Sequence, residues 1–253
     1  MGILYIVATP LGNLGDITLR ALETLKLVDL VVCEDTRQSV KLLNHYNIAK
    51  PLVSYFQHSK LSKIEYIAEQ LADGKNIALV TDAGTPGISD PGNQLIEELI
   101  KLFPERSEAE SKDKHNAAKF YPSTGSGNKI SPIKIVPIPG PCAAIAALSV
   151  CGFPTDKFVF MGFPPHKKGR ETYFKKVAAT DETIVLYEST HRILKAMEQL
   201  KILMPERPIM VAREITKMFE SIYRGTAAEI LEILNSDKNN LRGEFVIVVK
   251  KHE

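Results

Sequence analysis

Residues 77–92 read IALVTDAGTPGISDPG. The first five, IALVT (77–81), form a short apolar run of the kind that makes a buried strand. The run gives way to TDAGTPGISDPG (81–92). This stretch holds Gly84, Gly87 and Gly92, Pro86 and Pro91, the acids Asp82 and Asp90, and the hydroxyls of Thr81, Thr85 and Ser89. Glycine lets a backbone approach a ligand closely. Proline stiffens the chain, so its amides are in place before the ligand arrives. In open α/β sheets ligands bind beyond the carboxyl ends of strands. A rigid Gly/Pro loop directly after a buried strand therefore predicts a nucleoside-type pocket, although a plain tight connection would use the same residues.

The same unit recurs to either side. ILYIVA (3–8), LVVC (30–33) and IKIVPI (133–138) read as further buried strands, followed by the loops ATPLGNLGD (8–16), CEDTR (33–37) and PIPGPCAA (137–144). Between them, Leu22, Leu25 and Val28 share one helical face. So do Ile64, Ile67, Ala68 and Leu71, behind the capping box Ser62-x-x-Glu65 and ahead of a stop at Gly74. Strand–helix alternation predicts an α/β domain with a mostly parallel sheet.

A second series follows, with strands expected at FVFMGF (158–163), ETIVLYE (182–188), RPIMVAR (207–213) and FVIVVK (245–250). Helix faces are expected at Ile193, Met197, Leu200 and Met204, and at Ala227, Ile230, Leu231 and Leu234 behind the box Thr226-x-x-Glu229. The fold class is thus two α/β domains, 1–154 and 155–253, with the boundary in 152–157. Residues 104–133 break the pattern with nine charges, five serines and three prolines, and read as an exposed insertion in the first domain.

Composition narrows the function. The chain is 44% apolar and 25% charged, ordinary for a globular protein, and its net charge of +2 excludes a whole-surface polycation. No apolar run approaches the roughly 18 residues of a membrane helix, and MGILYIVATP lacks the basic start of a signal peptide. The three cysteines form no CxxC pair, so no metal is expected and a reducing, cytoplasmic compartment is. A P-loop, a G-x-G-x-x-G fingerprint after the first strand, H-E-x-x-H and G-x-S-x-G are all absent. What remains is a ligand without phosphates that carries an adenosine or amino-acid portion. Residues 153–253 carry 17 basic and 14 acidic side chains, against 15 and 16 in residues 1–152, so the second half suits an anionic partner. Six of those seventeen basic residues fall at expected strand ends, in HKKGR (166–170), YESTHR (187–192) and AREITK (212–217). HKKGR also reads as a solvated helix start, and Arg213 with Glu214 as an internal ion pair.

The run LYIVATPLGNLGDITLRALETL, with CEDTR, TDAGTPGISDPG, PGPCAAIAAL, FVFMGFPP, YESTHRI and AREITKMFE in that order, closely resembles the ribosomal RNA small subunit methyltransferase I family, part of the wider tetrapyrrole methylase group. The resemblance spans both halves except 104–133. It implies two α/β domains with S-adenosylmethionine in the cleft between them, a homodimer, and methyl transfer to the ribose 2′-oxygen of a cytidine in 16S ribosomal RNA of the small subunit. Carried over by motif position, it places the cofactor against Pro10, Gly84, Thr85, Pro86, Ile88, Ser89, Cys142, Ala143, Met161, Tyr187, Ala212 and Arg213. A weakly acidic ribose hydroxyl is helped by a carboxylate base, for which Asp35 and Glu188 are candidates, with Arg213 beside them. Arg37, Lys167, Lys168, Arg170, Arg192 and Lys217 are candidates to hold RNA phosphates. Two departures stand out: Cys142 replaces the serine of PGPSA, a weak thiol for a hydroxyl, and Thr190 replaces the proline of YESPHR, where it is expected to cap a helix. Rival readings are a methyltransferase of a small heterocycle such as a tetrapyrrole, against which the basic loops count, and a non-enzymatic RNA-binding module, against which the rigid pocket loops count.

Overall fold

The computed structural model describes residues 1–56, 61–103 and 132–252. The chain forms two units, Met1–Pro10 with Leu14–Pro141, and Leu11–Asn13 with Cys142–Glu253. All but the last two positions of the expected 104–133 insertion lie outside the described residues.

The first unit is built on five parallel strands in the order β3-β2-β4-β1-β5: β1 (Ile3–Val7), β2 (Leu30–Cys33), β3 (Leu52–Ser54), β4 (Ile77–Leu79) and β5 (Lys134–Ile138). Alternation along β2 shows why its strands are apolar throughout. Leu30 and Val32 face one core, with Ile64, Ile67 and Leu71 of α3 (Leu61–Ala72) and Leu95 and Leu99 of α4 (Gly92–Leu102). Val31 and Cys33 face another, with Ala21 and Leu25 of α1 (Leu19–Leu27) and Leu43 of α2 (Thr36–His45). A sheet covered on both faces needs near-continuous hydrophobic strands. Pro137 sits in β5 because β5 is an edge strand, where a missing donor is tolerated. Ser62 is the second residue of α3 and not its cap, since α3 runs from Leu61, whereas Gly74 does end that segment in a left-handed conformation (φ +88°).

The second unit holds β6 (Phe158–Gly162), β7 (Thr183–Ser189), β8 (Ile209–Arg213), β9 (Ser221–Gly225) and β10 (Glu244–Val249) in the order β6-β7-β10-β8-β9. Only β6 and β7 run parallel; the remaining neighbours are antiparallel. One face of this sheet, with Ile184, Leu186, Val211 and Ile247, packs on α6 (Arg170–Ala179), α7 (Ile193–Leu203) and α8 (Ala227–Ser236). Thr226 and Glu229 form the full reciprocal capping box that opens α8. The other face, with Val185, Met210, Ala212, Val246 and Val248, is covered by Ala144, Ala147, Leu148 and Cys151 of α5 (Ala143–Cys151).

That helix accounts for a difference from the sequence reading. The division lies at Pro141/Cys142, one helix before the expected 154/155, because α5 buries its small residues on the second sheet. Arg207 fastens the chain end: its guanidinium donates to the carbonyls of Thr180, Glu182 and Lys250 at 2.9, 3.2 and 2.5 Å.

Candidate functional site

In the first unit the loops beyond β1, β4 and β5 are tied to one another. Thr9 and Gly84 exchange backbone hydrogen bonds of 2.9 and 3.1 Å, and the Thr9 hydroxyl donates to the Thr81 carbonyl at 3.1 Å. The Thr85 hydroxyl donates to the Pro141 carbonyl at 2.9 Å. Gly140 approaches Ala8 so closely that a Cβ would lie 2.9 Å from the alanine methyl. Within 81–92, the Asp90 carboxylate accepts from the Gly87 and Gly92 amides at 2.8 and 2.7 Å and closes the loop on itself. Gly84, Gly87 and Ser89 are left-handed, with φ of +86°, +88° and +64°; for serine this is a strained conformation of the kind that collects at functional sites. Pro10 and Pro86 are buried, while Ile88 and Ser89 face outward. The candidates Pro10, Gly84, Thr85, Pro86, Ile88 and Ser89 therefore belong to one cross-braced loop cluster.

Acids rim this cluster. Asp35 caps α2, accepts from the Arg37 amide at 2.8 Å and pairs with its guanidinium at 2.6 Å. Those Arg37 hydrogen bonds hold the Asp35 carboxyl down to about 2. Its neighbour Glu34 behaves oppositely. Burial first, and then the Asp82 carboxylate, push the Glu34 carboxyl up, with the Thr81 hydroxyl at 3.3 Å pulling the other way.

In the second unit the period of two along each strand separates the candidates. Cys142, Ala143, Tyr187 and Ala212 gather on the α5 side of the sheet. The Tyr187 oxygen accepts from the Ala144 amide at 3.1 Å, and the Phe160 and Phe163 rings stand edge-on to its ring at 5.0 and 5.4 Å. Burial, and then Cys142, push the Tyr187 hydroxyl well above its ordinary value, so it stays protonated. Met161 packs with the opposite core, and Arg213 follows Val211 to that side.

Residues 3–105 and 127–231 match the profile of the tetrapyrrole (corrin/porphyrin) methylases. The chain belongs to the tetrapyrrole methylase family. The unmatched stretch between those two blocks falls inside the segment read as an insertion. Among curated members, this methylase is 43% identical over 251 residues to the ribosomal RNA small subunit methyltransferase I of Haemophilus influenzae, covering 98% of this chain and 78% of that one. Its counterpart in Escherichia coli is 41% identical, with 100% and 79% covered, and that of Hydrogenobaculum is 40% identical, with 98% and 95% covered. Solved structures share the fold at lower identity. The methyltransferase CobJ superposes with a TM-score of 0.65 at 17% identity (99% and 95% covered), and the uroporphyrin-III C-methyltransferase of Thermus thermophilus with 0.61 at 17% (99% and 95%).

Several charged residues of this methylase are placed otherwise than their motifs led us to expect. Glu188 is 0% exposed and pairs with Arg170 at 2.9 Å and Arg192 at 3.0 Å. Both Glu188 oxygens are thus engaged by guanidiniums, and each of those arginines is engaged with the carboxylate. Arg213 is buried and donates to the carbonyls of Arg242, Asn239 and Phe219 at 2.7, 2.7 and 3.0 Å, so it braces the short 3-10 turn Lys238–Leu241. Asp35, held near 2, is a poor base at neutral pH. Lys217 bridges Glu214 and Glu244 at 2.9 and 2.7 Å. Thr190 caps no helix: its hydroxyl donates to the Gly243 carbonyl at 2.5 Å and accepts from the Gly243 amide at 2.9 Å, and Arg192 stands at the start of α7. Arg37, Lys167 and Lys168 are exposed. Glu34 was missed although it lies inside CEDTR, because its environment is made by Thr81 and Asp82, distant in sequence.

Proposed function

We propose that this methylase is an S-adenosylmethionine-dependent methyltransferase that modifies the ribose 2′-oxygen of a cytidine in 16S ribosomal RNA, acting as a cytoplasmic homodimer on an assembled or partly assembled small subunit. The observation that carries the reading is the near-full-length identity of about 40% to small-subunit ribosomal RNA methyltransferases. The tetrapyrrole alternative has behind it the broad family profile and a shared fold at identities of 12–18%, without a relative of comparable identity.

The loops suit the cofactor. Residues 8–16, 81–92 and 137–144 contain no Lys, Arg or His, so they offer amides, hydroxyls and carboxylates to a ligand that carries a positive sulfonium and no phosphate. A uroporphyrin-III C-methyltransferase of the same fold was solved with S-adenosylhomocysteine. When bound, S-adenosylmethionine supplies an electrophilic methyl group. The protein's part is to hold the acceptor oxygen in line with it, and positioning of this kind accounts for much of the acceleration in such displacements. In the first unit Pro10 and Gly84 to Ser89 would meet the cofactor, and the second unit's candidates for contact with it are Cys142, Ala143, Tyr187 and Ala212. Glu34, with its raised carboxyl, is better matched than Asp35 to accept the hydroxyl proton near neutral pH. Lys167 and Lys168 would meet phosphates.

Incubating the purified protein and methyl-labelled S-adenosylmethionine with small subunits, and in parallel with a porphyrinoid such as uroporphyrinogen III, tests the reading. Label should enter RNA as a 2′-O-methylated nucleoside; label in a porphyrinoid instead, with none in RNA, would move the assignment to the alternative.

A further inference from the structure

We infer that the buried Glu188–Arg170–Arg192 triad is a positioning device that holds the loop 163–169 in shape for RNA; this rests on the ribosomal RNA reading above. Alternation along β7 puts Glu188 on the same side as Ile184 and Leu186, beneath the start of α6, which begins with Arg170, and next to Arg192 at the start of α7. An enclosed carboxylate is costly unless paired and hydrogen-bonded. Here it has two guanidiniums and the Ser189 amide at 2.8 Å.

Both arginines are bifunctional. Arg170 also donates to the Pro165 carbonyl at 3.3 Å, and Arg192 to the Pro164 carbonyl at 3.0 Å. The Tyr173 hydroxyl lies 3.3 Å from the carbonyls of Met161 and Gly162. Side chains at the starts of two helices thus grip the Met161 and Gly162 carbonyls at the end of β6 and the Pro164 and Pro165 carbonyls of the short loop after it. The loop needs that grip, because Pro164 and Pro165 have no N–H with which to brace it. On its outer side it presents Phe163, 49% exposed, with His166, Lys167 and Lys168 exposed beyond it. Cations fixed in advance bind a phosphate chain more tightly than cations that must first be ordered. Arg170 and Arg192, at 11% and 15% exposure, act through this loop and not on RNA directly.

The test compares Glu188→Gln, Arg170→Lys and the double variant Lys167→Ala/Lys168→Ala, in the full-length protein and well below each melting temperature. Glu188→Gln removes a negative charge, so charge alone would tighten binding to small subunits. The positioning role requires the opposite: weaker binding, with a salt dependence flattened toward that of the double lysine variant. Trypsin cleavage of the native protein after Lys167 or Lys168 should accelerate about tenfold relative to other sites, since cleavage follows the open population of the loop. Arg170→Lys preserves charge but cannot fork between Glu188 and Pro165, and it should behave likewise if Glu188→Gln fails to fold. Unchanged trypsin rates would overturn the clamp whatever happens to RNA binding. Faster cleavage with RNA affinity unchanged or tighter would overturn its role in RNA positioning. An unchanged affinity in the double lysine variant would instead show that this loop does not meet RNA, and the trypsin result would still judge the clamp.

Discussion

Gly12 lies directly against the aliphatic stem of Lys217: a Cβ at position 12 would overlap Lys217 Cγ and sit 2.9 Å from its Cδ. The lysine cannot simply swing away, because its ammonium is anchored to Glu214 and Glu244. The loop around it is already strained, with Glu214 and Thr216 at φ of +52° and +65°. Gly12→Ala should cost about 1–3 kcal/mol, as overpacking does. The same substitution in a Lys217→Ala background should cost much less, since the clash is gone. Urea unfolding of the four proteins gives the coupling directly; equal costs in both backgrounds would mean that Lys217 is not what excludes a side chain at position 12.

The same lysine predicts a pH signature. For Lys217 burial opposes the charge, but the bonds to Glu244 and Glu214 outweigh it and raise the ammonium above its ordinary 10.5. For Glu214 burial is likewise outweighed, by Lys217 and the Glu244 amide, and its carboxyl falls below its ordinary 4.5. Stability from the raised base is complete below 10.5 and lost as pH climbs through the folded value. Stability from the lowered acid is present above 4.5 and lost as pH drops through its folded value. The difference in melting temperature between wild type and Lys217→Ala should therefore be a plateau between these limits that shrinks at both ends. A difference that stays constant from pH 3 to pH 11 would contradict the bridge.

Asp35 and Glu34 are adjacent and should part company in turnover. Asparagine caps a helix as well as aspartate does, so Asp35→Asn should leave α2 intact and methyl transfer within about threefold of wild type. Glu34→Gln should reduce turnover by about 100-fold if its carboxyl takes the ribose proton, the usual scale for a general base. Steady-state rates at saturating cofactor separate the two; a large loss in Asp35→Asn alone would return the base to Asp35.

The eight expected strands were legible as short apolar runs, and α1, α3, α7 and α8 by apolar residues at a spacing of 3.6, whereas α2, α4 and α6 were not read from the sequence. Two strands were not. β3 is three half-buried residues at a sheet edge, and β9 is the half-polar SIYRG at another. The place of α5 was hidden for a different reason: AAIAALSVC is apolar all round, so no stripe in it indicates which sheet it covers. Among the candidate site residues, the Gly/Pro loop of 81–92 could be read from composition, since rigidity and close approach belong to the residue types themselves. The charged residues could not. Whether Glu188 is a base or the hub of an ion triad depends on Arg170, eighteen positions earlier, and Arg213 is committed to carbonyls that lie beyond position 218.

Thr190 links the end of β7 to the turn before β10 through two hydrogen bonds to Gly243. Thr190→Val keeps the shape and removes both, leaving a peptide carbonyl and amide without that partner. A destabilisation of about 1–3 kcal/mol is expected. Chemical denaturation measures it, and a change below about 0.5 kcal/mol would mean that water satisfies Gly243 equally well.

The most direct measurement is mass spectrometry of nucleosides from the 16S ribosomal RNA of cells with and without the gene. A 2′-O-methylated cytidine should be present in the first and missing in the second. It should return when the gene is supplied in trans, and fail to return when the supplied copy carries Thr85→Arg, which would fill the loop cluster proposed to hold the cofactor. Identical nucleoside profiles in the two strains would contradict the assignment of this protein to ribosomal RNA.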